Sequence, residues 1–362
     1  MRIAFKELVR QPGRFLSVGG ALTMLVVLLV VLGGFLDGLE LNQTGPYRAH
    51  EGRLLVFSDQ SKLLIQRSQV DAEEAAQLGA TDGVAAVGAL NQIQSTASDD
   101  QGDIIDIVLF GYDLSTDVLP SPPADGGAII DQALADRNDV AVGDTLLVGA
   151  TAEPVEVAGV VDDLSQGSPT IWISTERWRA IVKAGNPAAL PPEGFNQALV
   201  IEPSGGADTK ALIGSLAAVD GVAAVPPKQA IDALPVVQQQ SSTFQGIIGV
   251  TFVVTLLVVA LFFTLITLER VDLYAVLKAL GARTGNLMAG ISTQALGVSL
   301  VALALGFGLS VGFVGLLPAE LPVRLEAARM LQTAVGVLAS ALLGSLFTLR
   351  RILRIDPAEA IG

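Results

Sequence analysis

The sequence predicts an α+β membrane protein: four transmembrane helices and one extracytoplasmic α+β domain, itself split by a β-rich insertion. Three observations predict it. Apolar runs free of charge lie at about residues 15–36, 246–268, 287–317 and 330–349, each reaching the ~20 residues that cross a bilayer. The stretch between the first two is of ordinary globular composition and carries an internal repeat, Asp82-Gly83-Val84-Ala85-Ala86-Val87 recurring as Asp220-Gly221-Val222-Ala223-Ala224-Val225. Charge is divided along the chain: of 22 Lys+Arg and 36 Asp+Glu, 10 and 29 fall between Asp37 and Gln245, a net of −19 there against −14 for the whole.

These quantities exclude several classes. A chain 51% hydrophobic with mean hydropathy +0.57 is too apolar for an ordinary soluble enzyme, yet not apolar throughout. The acidic domain argues against nucleic acid, which is bound by Lys and Arg at phosphates. With no cysteine there is no disulfide, thiolate catalysis or Cys-based metal site.

In chain order, residues 1–14 are basic and mildly amphipathic (Arg2, Lys6, Arg10 and Arg14 against Glu7) and suit a cytoplasmic elbow helix. Residues 15–36 form the first span. A cleaved signal peptide is the alternative, but its apolar core is ~7–15 residues, shorter than this run. Gly19-Gly20 and Gly33-Gly34 give the span smooth faces, which suit a dimer interface between first and second spans. In the domain of residues 37–245, each repeat unit reads strand, helix, strand: Arg53–Phe57, Val70–Leu78 and Val84–Leu90, then Gln197–Ile201, Asp208–Ala217 and Val222–Val225. The units cover 53–90 and 196–226. Between them the insertion, 91–195, offers strands at Ile104–Phe110, Ala128–Ile130, Thr145–Val148, Val155–Val161 and Thr170–Ile173, punctuated by Pro120-Ser121-Pro122-Pro123 and Asp125-Gly126-Gly127. Residues 228–245 read as a stalk back to the membrane. Basic residues concentrate in 1–14, 269–286 and 350–362. The loop 318–329 holds only Arg324 and Arg329, offset by Glu320 and Glu326. By the positive-inside rule both termini are cytoplasmic and the acidic domain is outside.

The polar segment 269–286 between the second and third spans is more than a turn. Leu273, Val276, Leu277 and Leu280 fall at i, i+3, i+4 and i+7, with Lys278 towards the end and Gly281 as a helix stop. Periodicity alone fits either a helix that docks a soluble partner or an interfacial hairpin with none. Glu269-Arg270 after a span, followed by Ala275-Val276-Leu277-Lys278-Ala279-Leu280-Gly281-Ala282, resembles the first cytoplasmic loop of MacB/FtsX-type (type VII) ABC transporter permeases. With Phe262-Phe263-Thr264-Leu265-Ile266-Thr267-Leu268 upstream it is most similar to the HrtB/DevC-like branch. The ending Arg354-Ile355-Asp356-Pro357-Ala358-Glu359-Ala360-Ile361 also resembles the family's. The repeat–insertion–repeat order, with Val142-Gly143-Asp144 and Val157-Ala158-Gly159-Val160-Val161, is similar to the porter domain of MacB-type permeases, split by a β-rich insertion.

The resemblance implies that Leu273, Val276, Leu277, Lys278, Leu280 and Gly281 form a coupling helix on a cytoplasmic ABC ATPase. That ATPase is present in two copies and holds ATP and magnesium, while the permease is a homodimer. It implies export of a hydrophobic or amphipathic substrate (haem, lipid or drug-like) from the outer leaflet or periplasmic side by mechanotransmission, with room for a periplasmic adaptor. The alternative within the family is an FtsX-like subunit that activates an extracytoplasmic cell-wall hydrolase. A third class is a receptor or scaffold not driven by ATP.

Chemistry of its own is sparse. None of the six lysines follows a glycine, so GxxxxGK[ST] is missing and ATP hydrolysis is expected of a partner. The one histidine, His50, has no nucleophile near it in sequence and reads as a solvated residue beyond the first span. Asp99, Asp100, Asp103 and Asp106, or Asp162-Asp163, lack EF-hand spacing and read as solvated faces; no metal site is expected. Asp37, Glu40 and Tyr47 lie where the chain leaves the membrane. Carboxylates at such a depth are candidates for function, and the haem-exporter resemblance allows Glu40 or Tyr47 to touch an amphipathic ligand. Interfacial anchoring is the alternative.

Overall fold

The structure, a computed structural model, describes residues 12–99, 102–269, 276, 280, 284–318 and 321–353. The chain divides into two compact units, Met1–Leu39 with Gln240–Gly362, and Glu40–Gln239.

The first unit is built from four long apolar helices, α1 (Pro12–Arg48), α7 (Pro235–Leu268), α8 (Thr284–Val314) and α9 (Ala327–Leu353). Each contains a stretch apolar and long enough to cross a membrane. Small residues set their packing, as expected where lipid offers helices no hydrophobic driving force. A Cβ on Gly306 of α8 would stand 2.5 Å from Val26 of α1, and one on Gly344 of α9 would stand 3.0 Å from the Leu256 carbonyl of α7. Ser292 and Ser345 hydroxyls meet at 3.1 Å between α8 and α9. Leu22, Val259, Phe263, Ile291 and Ala341 fill the interior. Leu257, Leu261 and Leu265 stand exposed on α7, a stripe that would be a liability in water and is natural against lipid.

Both ends of the soluble stretch are helical. The apolar run of the first span ends at Leu36, and α1 continues beyond it to Arg48, because Asp37 and Glu40 are polar without being helix breakers. The stalk is helical: α6 (Pro227–Ala233) is followed at once by α7.

In the second unit the repeat is real in three dimensions. The first copy gives β1 (Leu54–Ser58), α2 (Ala72–Gly79) and the start of β2 (Val84–Ser98); the second gives β8 (Ala198–Pro203), α5 (Thr209–Leu216) and β9 (Val222–Val225). The duplicated Asp-Gly sits in equivalent turns before β2 and β9, where Gly83 and Gly221 adopt φ +92° and +85°, a region glycine enters without strain. The strands pair antiparallel in the order β2-β8-β1-β9, the arrangement of a split βαβ sheet. β1 is buried on both faces, so it reads as a continuous apolar run. Leu54 and Val56 face α2 and α5, packed with Leu78, Leu212 and Leu216, while Leu55 and Phe57 face the opposite cluster with Ile231. An Asp71/Glu74 capping box starts α2.

The insertion closes on itself. β2 runs on past the sheet and pairs with β3 (Ile104–Tyr112); β3 pairs with β7 (Thr170–Ser174), β7 with β4 (Ala128–Asp131) and β4 with β6 (Glu153–Val161). β6 then pairs with β5 (Thr145–Val148), and β5 returns to β2 at Ala97 and Ser98. This six-stranded ring is filled by Leu109, Ile130, Leu146, Val157, Ile171 and Trp178 among others; closure removes the free edges a short sheet would expose. Two helices that the strand-rich reading missed cover it, α3 (Gln132–Asn138) and α4 (Thr175–Gly185). Where the insertion leaves and rejoins the sheet, two Asn-Gln pairs buckle together. Asn91 Nδ2 donates to Asn196 Oδ1 at 3.0 Å, the Gln197 N–H to Asn91 Oδ1 at 2.9 Å and the Gln92 N–H to Gln197 Oε1 at 2.6 Å.

Candidate functional site

Each proposed contact residue is best placed within its own unit. In the first, Asp37 on α1 is engaged. Arg329, at the start of α9, donates from Nε to both carboxylate oxygens at 3.1 Å and from Nη2 to Oδ1. The Asp37 side chain is only 10% exposed, so a charged partner is what makes its burial tolerable. The residues before α9 lie along the same helix: the Arg324 N–H donates to the Gly34 carbonyl at 2.9 Å, and a Cβ on Gly34 would meet the Arg324 carbonyl at 2.7 Å. A Cβ on Gly33 would meet the Arg329 side chain at 3.1 Å. The Gly33-Gly34 face, expected to serve a dimer, is thus occupied by the chain's own 323–329 segment. Among the described residues nothing lies within 4 Å of a would-be Cβ on Gly19 or Gly20.

In the second unit, Glu40 is half-buried and its carbonyl accepts the Thr44 hydroxyl at 2.7 Å. Tyr47 is 1% exposed and packs in the cluster of Leu55, Phe110, Leu164 and Trp172, so its ring serves the core. His50 corrects the expectation of a solvated residue. It is fully buried, with its ring edge-on to Trp172 at 6.4 Å between centroids. Trp172 also stacks on Phe110 at 4.2 Å and meets Tyr112 edge-on at 5.7 Å. Among the described residues neither His50 nitrogen has a hydrogen-bond partner. Burial, and secondarily the nearby Arg53 charge, depress its pKa to about 3, so the imidazole is neutral at physiological pH. Among the described residues no group of His, Asp and Glu is placed to hold a metal ion.

The proposed coupling residues Leu273, Leu277, Lys278 and Gly281 lie outside the described residues, as do residues 1–11 of the expected elbow helix. Val276 and Leu280 are described. The Leu280 N–H donates to the Val276 carbonyl at 3.0 Å, one helical turn. Their side chains are 46% and 79% exposed, so neither is used up in packing against the described chain.

Comparison with known proteins agrees with this architecture. Residues 20–219 match the MacB-like periplasmic core domain and residues 246–357 the FtsX-like permease C-terminal domain. A Staphylococcus haemolyticus protein named as a hemin transport system permease, HrtB, is 25% identical over 62% of this chain and 60% of its own length. An uncharacterized ABC transporter permease of Mycobacterium bovis is 30% identical over 61% of this chain and 58% of its own. The matched part thus spans about three-fifths of these relatives. The crystal structure of the periplasmic region of MacB from Actinobacillus actinomycetemcomitans aligns with 50% of this chain and 91% of its own, at 13% identity and a TM-score of 0.36. With more than half of its length matching the MacB-like core, and the FtsX-like domain following in order, the chain belongs to the MacB/FtsX family of ABC transporter permeases.

Proposed function

We propose that this protein is the permease subunit of an ATP-driven exporter. It is powered by two copies of a separate ABC ATPase, works as a homodimer, and expels a hydrophobic or amphipathic substrate from the outer leaflet or periplasmic side. The observation that carries the reading is the succession of a MacB-like periplasmic core and an FtsX-like C-terminal domain, with an amphipathic segment between α7 and α8 whose described apolar members, Val276 and Leu280, are left free. Leu273, Val276, Leu277 and Leu280 are the proposed ATPase-docking face, with Lys278 and Gly281 at its end. ATP and magnesium belong to the partner, since no Gly-Lys phosphate loop is present. The hemin-transport name of one relative supports the amphipathic substrate class. Within the contact set proposed from sequence, the partly covered Glu40 and the paired Asp37 are more accessible to a ligand than Tyr47.

Purification with the ATPase, followed by a screen of haem, lipids and hydrophobic drugs, tests this reading. At least one such compound should raise the ATP hydrolysis of the complex. Stimulation by none, together with activation of a peptidoglycan hydrolase, would move the chain to the FtsX-like signalling class. The proposed orientation has both termini in the cytoplasm. Reporter fusions after Ser98 and at Gly362 should therefore report opposite compartments, and one shared compartment would rule it out.

A further inference from the structure

We infer that the contact between the end of α1 and the β6–β7 loop is where movement of the first membrane helix is handed to the six-stranded ring. The inference rests on the reading of the chain as an ATP-driven permease.

Two adjacent residues create the contact. Pro46 lies inside α1 and has no N–H, so the Asn42 carbonyl four residues back lacks its helical donor. The Gly167 N–H fills that place at 2.8 Å. The neighbouring Gly45 N–H donates to the Ser165 carbonyl at 3.2 Å. A Cβ on Gly45 would overlap the Leu164 backbone, so only glycine lets the loop lie directly on the helix backbone. Arg48 completes the clasp. Its Nη2 donates to the Asp163 carbonyl at 2.6 Å and the Leu41 carbonyl at 3.1 Å, and its Nε to the Thr44 hydroxyl at 3.2 Å.

The loop is tied to the ring with equal economy. Asp131, at the end of β4, is 1% exposed and accepts both the Leu164 N–H at 3.4 Å and the Ser165 hydroxyl. In β7 the Thr170 hydroxyl donates to the Leu164 carbonyl at 3.1 Å and receives the Trp172 indole N–H at 2.9 Å. A continuous hydrogen-bonded path therefore leads from α1 through residues 163–167 into β4 and β7. The return helix holds the domain differently. α6, just before α7, packs beside β1 of the split βαβ sheet and buries Ala230 and Ile231 as apolar side chains. Packed apolar side chains tolerate the small sliding of a shear motion. Backbone bonded to backbone with no side chain between moves as one piece, and such connected networks are physical carriers of coupling.

The test uses full-length protein with its ATPase in nanodiscs, comparing hydrogen exchange with ATP and without nucleotide. Gly45→Ala forces the loop off the helix. Arg48→Met is milder, removing donors while adding no clash. In wild type, ATP should change exchange both at residues 162–174 and at residues 227–239. In both variants the change at 162–174 should be lost and that at 227–239 kept. Emission from Trp172 and Trp178, the only two tryptophans, checks in the isolated variants that the ring stays packed. Survival of the nucleotide-linked change at 162–174 in both variants overturns the proposal. So does a wild type in which ATP alters 227–239 alone, or a red-shifted emission in both variants, which would make the contact merely structural. If ATP alters neither segment in a wild-type complex that binds its ATPase, the permease reading falls and this inference with it.

Discussion

Lowering the pH from about 6.5 to 4.5 is expected to weaken the extracytoplasmic domain by roughly 2–3 kcal/mol through His50 alone. The backbone fixes this residue just after α1: its N–H donates to the Tyr47 carbonyl at 3.2 Å and its carbonyl accepts the Arg53 N–H at 3.0 Å. The ring is fully enclosed beside Trp172, and the cost of charging it there holds its pKa near 3 against an ordinary 6.5. The sign follows from linkage. Below pH 6.5 the unfolded chain binds a proton that the folded domain refuses. Stability therefore falls by ~1.4 kcal/mol per pH unit as pH drops, levelling off near 3, and above 6.5 His50 contributes no slope. Asp131 works the other way. Burial raises its pKa, so its protonation favours the folded state and opposes part of the loss. His50→Phe isolates the histidine. It replaces two nitrogens that have no partner among the described residues by apolar edge of similar size, so stability at pH 7 should hold or rise. Denaturant unfolding followed by tryptophan emission at pH 7 and 4.5 measures both proteins. A His50→Phe chain that loses as much as wild type would place the acid sensitivity elsewhere.

Much of the architecture was legible because it rests on local signals. The four long helices are written as apolar runs, and β5 and β9 occupy the residues their alternation and flanking turns indicated, Thr145–Val148 and Val222–Val225. The duplicated Asp-Gly-Val-Ala-Ala-Val marked equivalent turns because both need a positive φ at glycine. What was not legible depended on distant partners. The sequence reading ends this strand at Leu90, where the insertion begins; its continuation to Ser98 is stabilised by Asn196 and Gln197, over a hundred residues away. The continuation of α1 through Pro46 depends on Gly167 in the same manner. His50 looked solvated because nothing local announces the aromatic cluster of Phe110, Tyr112 and Trp172 that encloses it. Asp37 was visible as a carboxylate at membrane depth, but its partner Arg329 lies at the far end of the chain. One miss had a signal. Trp178, Ile181 and Val182 fall at i, i+3 and i+4 behind an N-capping Ser174, and they form the buried face of α4.

Leu277→Asp is expected to weaken association with the ATPase at least tenfold while the four spans still insert. In helix-in-groove docking the anchors fall at i, i+3, i+4 and i+7, the spacing of Leu273, Val276, Leu277 and Leu280. Fully burying one Leu or Val side chain is worth roughly 1.5–3 kcal/mol, and a carboxylate in its place adds the cost of an unpaired buried charge. Either contribution exceeds the ~1.4 kcal/mol of a tenfold change in affinity. If the same face lies instead among lipid headgroups, the aspartate would reduce insertion or local stability and leave partner binding normal in correctly inserted protein. The most direct measurement is pull-down of the ATPase by wild-type and Leu277→Asp protein, normalised to membrane yield. Retention by wild type and loss in the variant at equal yield is the expected result. Equal retention by both, with hydrolysis and export unchanged, would contradict coupling through residues 273–281.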